Sequence, residues 1–256
     1  MLDTDLLYEK VKRARIRRSF NNCYSMNLIF KAEQMWEKGD DFIFSYEDHG
    51  INRLIYFVSG WDSLDEIIDH MDHGKWFLEY MTKNPDEYIP HSSRFVAKML
   101  RMANPDCTSI FGTSSTVLQY KDAGKTELAD VKDAGEITTI LWNTFRPEIS
   151  HLVYTDEMKE SIKNGQITIH RTDGHIDALL QADVMPKKFY INQVVNLGER
   201  HNVHALLINR LEKYISDGGK YLFAWVEDTN IASIKFHGKY GMKHDGMFSV
   251  IYCVER

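Results

Sequence analysis

From Gln166 to Val254 the chain mixes two kinds of strand connection. QITIHR and HIDALLQADV are strand-like runs joined by a TDG turn, and KKFYINQVVN follows as a third run of the same kind. The next such run, KYLFAWVE, arrives only after a helical stretch from about Asn202 to Ser216. That stretch has Val203, Leu207, Ile208, Leu211 and Ile215 on one stripe and stops at Gly218-Gly219. A second helix, Asn230 to Tyr240, stops at Gly241 and leads into MFSVIYCV as a last strand. Hairpins leave neighbours antiparallel, whereas a strand-helix-strand crossover joins parallel neighbours. A chain containing both requires a mixed sheet with helices on its faces, an α/β (α+β mixed) architecture.

Upstream of this region, STVLQY reads as a strand, Leu128 to Phe145 as a helix ending before Pro147, and Asp156 to Lys163 as a short helix closed by Asn164-Gly165. The first half opens on a helix with Leu6, Leu7, Val11 and Phe20 on its apolar side and the basic run KVKRARIRR, Lys10 to Arg18, on a solvated face. FIFSYED and INRLIYFVS flank a DHG turn as a hairpin. Ser63 to Met71 follows as a helix, Trp76 to Met81 as a strand, and Ser93 to Ala103 as a helix ended by Asn104-Pro105. The expected division is a domain at 1–112 and a second at 113–256.

With 256 residues, 43% hydrophobic and 12% aromatic, the chain has ample material for a packed core. Its net charge of −6 argues against general binding to nucleic acid or to an anionic membrane. No apolar run is long enough to span a bilayer, and Asp3 and Asp5 stand where a secretory signal needs basic residues, so a cytoplasmic protein is expected. Cys23, Cys107 and Cys253 are odd in number and widely spaced, which predicts reduced, inert thiols. Gly124-Lys125-Thr126 lacks the first glycine of a phosphate-binding loop. His70 and His73, beside Asp69 and Asp72, read as a solvated helix end, and no metal is expected. The signatures of serine hydrolases, zinc proteases and dinucleotide-binding enzymes are missing.

One stretch carries a family signal. In NIASIKFHGKYGM, residues Asn230, Ser233, Phe236, His237, Lys239, Gly241 and Met242 fall at the spacing of the second signature of the GCN5-related N-acetyltransferases (GNAT), and in the same structural slot. The chain resembles that family. Its first signature, Arg/Gln-x-x-Gly-x-Gly/Ala, aligns on Glu199, Arg200, His201, Asn202, Val203 and His204, with Asn202 and His204 in place of the glycines. The resemblance implies a GNAT-like mixed sheet flanked by helices, covering 113–256, with the first half a degenerate copy that has no coenzyme A site of its own.

The resemblance also implies transfer of an acetyl group from acetyl-CoA, as cosubstrate, to a primary amine on a small molecule or peptide. In the family, two strands splay to admit pantetheine. That places the splay after Asn192 to Val195, with the backbone of Val194 and Val195 facing it. Arg200, His201, Asn202, Val203 and His204 would meet the pyrophosphate, with Asn230 and Ser233 as further cofactor contacts. Glu227 and then Tyr190 are the candidate bases. His237 replaces the tyrosine that protonates the departing thiolate, and an imidazole is able to titrate near neutrality. Two alternatives stay open: an aminoacyl transferase of the tandem peptidoglycan-bridge type, and an inactive acyl-CoA-binding module. A homodimer is also open.

Overall fold

The computed structural model describes residues 2–17, 19–120 and 126–256, apart from the side chains of Thr113, Thr116, Leu118 and Arg200. Gly124 and Lys125 of the rejected phosphate loop, and Arg18 of the basic run, lie outside the described residues. In chain order the elements are α1 (Thr4–Ile16), β1 (Phe20–Asn21), β2 (Ala32–Lys38), β3 (Asp41–Asp48), β4 (Ile51–Val58), α2 (Trp61–Asp69), β5 (Lys75–Thr82) and β6 (Ser93–Asn104). There follow α3 (Ile110–Thr113), α4 (Ser115–Tyr120), β7 (Glu127–Leu128), α5 (Ala134–Thr144), α6 (Thr155–Lys163), β8 (Ile167–Thr172), β9 (His175–Met185) and β10 (Lys188–Asn196). The chain ends with α7 (Arg200–Ser216), β11 (Tyr221–Glu227), α8 (Ile231–Gly238) and β12 (Lys243–Glu255).

The chain forms two compact units. Unit 1 comprises Met1–Lys98, Pro147–His151 and Met247–Arg256; unit 2 comprises Met99–Arg146 and Leu152–Gly246. The sequence reading had expected 1–112 and 113–256. The chain instead passes from one unit to the other within β6 and within β12.

In unit 1 the strand order is β2-β3-β4-β5-β12, with β1 added along β4. The β2-β3-β4 meander is antiparallel, α2 makes the crossover to β5, β5 runs parallel to β4, and β12 returns antiparallel to β5. FIFSY and LIYFV are nearly continuous apolar runs because both faces of the sheet are covered. On one face Ile43, Leu54, Tyr56 and Val58 pack under Leu64, Ile67 and Ile68 of α2. On the other, Phe42, Phe44, Ile55 and Phe57 pack under Leu7, Val11 and Ala14 of α1. Each such side chain contributes about 1.5–3 kcal/mol by burial. Leu6 and Phe20, expected on the apolar side of α1, are exposed. The hydrophobic stripe is the narrower set Leu7, Val11 and Ala14.

Unit 2 repeats the pattern. The antiparallel run β7-β8-β9-β10 is followed by α7 as crossover, β11 parallel to β10, and β6 antiparallel to β11. Leu180, Phe189, Ile191, Leu222, Ala224 and Val226 pack on the α7 side, whereas Ile167, Ile169, Leu179 and Val195 pack under α5 and α6. α7 is buried through its first two turns, Asn202 to Ile208, so its contact surface is wider than the stripe read from sequence.

Strand β2 was not expected, the helix expected over Leu128 to Phe145 begins only at Ala134 with Leu128 in β7, and two further elements differ in kind from their sequence expectation. Ser93–Ala103 is rich in Arg, Lys, Met, Leu and Ala, which favour helix, yet it forms strand β6 because Met99 to Asn104 pair with Glu227 to Leu222 of β11. Tertiary pairing outweighs local propensity there. STVLQY has strand-like residues but forms helix α4, with Val117 buried and the Tyr120 ring stacked on His204 at 4.9 Å.

Candidate functional site

The parallel pair of unit 2 comes apart. β10 and β11 are joined only from Lys188–Tyr221 to Ile191–Ala224. Beyond Ile191 the register of β10 against β9 shifts, with Asn192 as the extra residue of a bulge. β10 then stays on β9 as far as Asn196, while β11 stays on β6 as far as Glu227. A bulge increases local twist and bends its strand, which separates the two partners. The opening therefore starts at Asn192, at the upstream end of the span expected from sequence, and Val194 and Val195 lie past it. Val194 pairs with Leu180 and Val195 with Leu179; because hydrogen-bonded and non-hydrogen-bonded pairs alternate along an antiparallel ladder, the backbone groups of one of the two face β9 and those of the other face the opening.

The connection from β10 to α7 is held from below by Asp177. The backbone carbonyl of Asp177 accepts from the Leu197 and Gly198 N–H groups at 2.6 and 2.9 Å. Its carboxylate accepts from Thr172 Oγ1 at 2.5 Å, His170 Nδ1 at 2.7 Å and Asn202 Nδ2 at 3.0 Å. Burial pushes the Asp177 carboxyl up, but these donors outweigh it and hold its pKa below the usual value. The loop needs glycine at 198, since a Cβ there would meet the Asp177 carboxylate at 2.7 Å. α7 starts with no acidic residue in its first turn, and its N-cap residue Glu199 makes no side-chain capping bond. Unpaired N–H groups at the start of a 17-residue helix attract anions.

Among the expected cofactor contacts, His201 is half-buried with its Nδ1 3.3 Å from Glu199, and Val203 is buried. The Arg200 side chain lies outside the described residues. Asn202 and His204 are engaged within the protein. Asn202 is 2% exposed and spends its amide on Asp177, with its Oδ1 buried and unpaired among the described residues. His204 is 1% exposed, lies between Tyr120 and Phe236, and has Nδ1 2.7 Å from the Tyr240 hydroxyl. His204 is therefore not a surface cation for a pyrophosphate: the ring fills core that a glycine would leave empty.

The second signature is accounted for largely by local structure. Asn230 is the N-cap of α8 and accepts from the Ser233 N–H at 3.0 Å. Gly241 takes φ +70 past the end of the helix, and a Cβ there would come 2.9 Å from Asn104 Nδ2, which donates to the Tyr240 carbonyl. His237 is 4% exposed, and its Nδ1 lies 2.8 Å from the Ser233 carbonyl. A carbonyl only accepts, so Nδ1 carries the proton and Nε2 presents a lone pair. Nε2 is buried and has no hydrogen-bond partner among the described residues. Burial lowers the His237 pKa to about 4 even though the Ser233 carbonyl favours the charged form. His237 is thus a neutral imidazole with an unpartnered lone pair at Nε2 among the described residues, an arrangement that does not suit the proton-donor role implied by the family tyrosine.

The two candidate bases are separately placed. Glu227 ends β11 in an ion pair with Arg146 at 2.7 Å. Tyr190 sits in the still-paired part of β10, stacked on Phe223 at 4.7 Å. Two residues that the sequence reading passed over lie beside the opening. Gln193 pairs across the ladder with Gln181, and their strand neighbours Val195 and Leu179 belong to the core under α5 and α6, so both glutamines face that side. The Oε1 atoms of both are buried and unpaired among the described residues. Their signal in sequence was a polar residue inside each of the apolar runs ALLQAD and INQVVN.

No family profile and no curated relative matches this sequence. Solved structures do. A GNAT-family acetyltransferase from Colwellia psychrerythraea is similar over 100% of this chain and 98% of its own, at 11% identity and a TM-score of 0.62. A GCN5-related N-acetyltransferase from Sphaerobacter thermophilus is similar over 84% of this chain and 76% of its own, at 13% identity and 0.55. A tandem GNAT protein from the clavulanic acid biosynthesis pathway is similar over 86% and 81%, at 9% identity and 0.54. The chain has the GNAT fold, a mixed sheet flanked by helices, and no helix among the described residues is long and apolar enough to cross a membrane.

Proposed function

We propose that unit 2 transfers an acetyl group from acetyl-CoA to a primary amine. The observation that carries this reading is the parting of β10 from β11 at Asn192, beside the start of α7, where no side chain of the N-cap residue covers the helix N–H groups. The residues present suit the carrier. Among the described buried side-chain atoms without a partner, Gln181 Oε1, Gln193 Oε1, Asn202 Oδ1 and His237 Nε2 are acceptors, beside the Thr138 and Thr168 hydroxyls, and pantetheine amides and an amine bring N–H donors. The edge of β10 at Val194 and Val195 would lie along the pantetheine arm, and the α7 N-terminus with Arg200 and His201 would meet the pyrophosphate.

When bound, acetyl-CoA supplies a thioester activated toward amines. The protein's own groups handle position and proton. An alkyl ammonium with pKa ~10.4 must lose a proton before it attacks. Gln181 and Gln193 are suited to hold its N–H groups, and His237 Nε2 accepts a hydrogen bond without competing for the proton at neutral pH. Glu227, paired with Arg146 at 2.7 Å, is the carboxylate available to relay that proton toward solvent.

Calorimetric titration of the full chain with acetyl-CoA, at low and high salt, tests the reading, with one site expected and weaker binding at high salt. Absence of binding at either salt overturns it. One observation favours an aminoacyl donor instead: Asn202 and His204 put buried side chains where the family turn has glycines. Binding of aminoacyl-tRNA but not acetyl-CoA in the same titration selects that alternative.

A further inference from the structure

Unit 1 has a parallel pair that parts in the same way. β4 and β5 are joined only at Arg53–Phe77 and Leu54–Leu78, after which each strand continues, β4 on β3 and β5 on β12. The space between them is spanned by one side chain. Asn22 Nδ2 donates to the Leu54 carbonyl at 2.9 Å and to the Glu79 carbonyl at 2.8 Å, and Asn22 Oδ1 accepts from the Tyr56 N–H at 2.9 Å. Two carbonyls on one end and an N–H on the other fix which end is the amide nitrogen. The preceding residues, Phe20 and Asn21, continue as a short strand against Val58 and Phe57. A cavity of about 30 Å³ adjoins Asn22, lined also by Tyr24, Tyr46, Arg53, Glu79 and His151.

We infer that the parted strands of unit 1 form a carboxamide-binding cleft that the chain's own Asn22 occupies as an internal ligand. The recognised chemistry is a primary amide: one N–H of its nitrogen for each of the Leu54 and Glu79 carbonyls and one oxygen for the Tyr56 N–H. Parting two paired strands strands their backbone groups, and buried groups of that kind must find partners. Asn22 supplies three at once. A second acyl carrier is thereby excluded from unit 1, and on the reading that unit 2 takes acetyl-CoA a chain holds one.

Thermal unfolding of the full chain tests this directly. Asn22→Gly should lower the midpoint by about 5 °C. Acetamide at about 0.1 M should raise the variant by ~2 °C more than wild type, whereas acetate, which has no N–H, should not. Equal responses of variant and wild type to acetamide, or equal rescue by acetate, overturn the inference. Should the glycine variant not fold, Asn22→Asp carries the test. Its carboxylate faces two carbonyls without a donor, so its deficit against wild type should shrink as the pH falls and the carboxyl is protonated; a deficit constant with pH overturns the inference. In the acetyl-CoA titration, two carriers per chain also overturn it, while one or none agrees with it. None would separately overturn the acyl-carrier reading of unit 2.

Discussion

Acid should weaken unit 2 through His237. Its imidazole is 4% exposed, and burial brings its pKa down to about 4 from the ordinary 6.5. A base whose pKa is lower folded than unfolded is protonated first in the unfolded chain, so its contribution is intact above about pH 6.5 and is lost as the pH falls toward 4. The shift from 6.5 to about 4 corresponds to about 3 kcal/mol in full, of which about 2 kcal/mol is lost by pH 5. Urea unfolding of wild type and His237→Phe at pH 7, 6 and 5 isolates this residue, because every other titrating group is shared. The wild type should lose about 2 kcal/mol more than the variant between pH 7 and 5. Parallel pH curves would refute the reasoning, since they would mean the imidazole takes up its proton equally in both states. The same variant should slow acetyl transfer about tenfold with little change in acetyl-CoA affinity, as expected when an acceptor for the reacting amine is lost. A neutral His237 adds no limb to the rate profile between pH 5.5 and 8.

Gln193→Leu removes a buried acceptor that has no partner among the described residues. It should leave stability unchanged or raise it by about 1 kcal/mol in denaturant melts, while raising the KM for the amine about tenfold. Gly241→Ala should destabilise by about 2–3 kcal/mol, because φ +70 disfavours a side chain and the new Cβ displaces the Asn104 amide from the Tyr240 carbonyl. In unit 1, His151 Nδ1 lies 2.7 Å from Asp48 and its Nε2 3.7 Å from Glu79, with Arg53 and Tyr24 also facing the cluster. Burial lowers the His151 pKa, but the two carboxylates outweigh it and raise it. A raised pKa gives stability that is full below the unfolded value and lost as the pH rises through the folded one. The stability gap between wild type and His151→Gln should therefore narrow from pH 6 to 9, and a gap that widens would contradict the assignment.

What the sequence displayed was whatever depends on periodicity and on local chemistry. The TDG turn, the Gly218-Gly219 stop and the runs on either side of the DHG turn all appear as hairpins and helix ends, because the residues that make a turn are specific to it. The motif in α8 was legible because Asn230 caps, Gly241 takes positive φ, and both leave a spacing. β6 was not legible: its composition favours helix, and its pairing partner lies more than a hundred residues away in β11. Strand β2 was missed for a related reason, since its exposed face is polar and its stretch EQMWEK has no clean alternation. The roles of His204 and His237 could not be read either. In sequence His204 looks like a surface charge and His237 like a proton donor, and burial, which sets their chemistry, depends on Tyr120, Phe236 and Tyr240 around His204 and on packing beside Phe236 for His237.

The two units place an aspartate at matching points, and the difference in its partners accounts for why one helix start is closed to anions. Asp41 comes immediately before Phe42, which pairs with Phe57 near the end of β4; Asp177 comes immediately before Ala178, which pairs with Asn196 at the end of β10. Each carboxylate thus lies beside the loop that begins the crossover helix. Asp41 accepts from the Ser59 N–H at 3.0 Å, from Ser59 Oγ at 2.5 Å and from Ser63 Oγ at 2.7 Å, so it occupies the start of α2 directly, with Asp62 in the same turn. A phosphate brought there would sit roughly 5 Å from a carboxylate, a repulsion of about 3 kcal/mol per pair of unit charges at an effective dielectric of ~20. Asp177 takes a side-chain amide from α7 and otherwise bonds to His170 and Thr172 of β8, so three side-chain donors share its charge. With Asn22 across one opening and no side chain bridging the other among the described residues, the same topology yields a cleft filled by its own chain in unit 1 and, in unit 2, a parted strand pair next to buried acceptors that have no partner among the described residues.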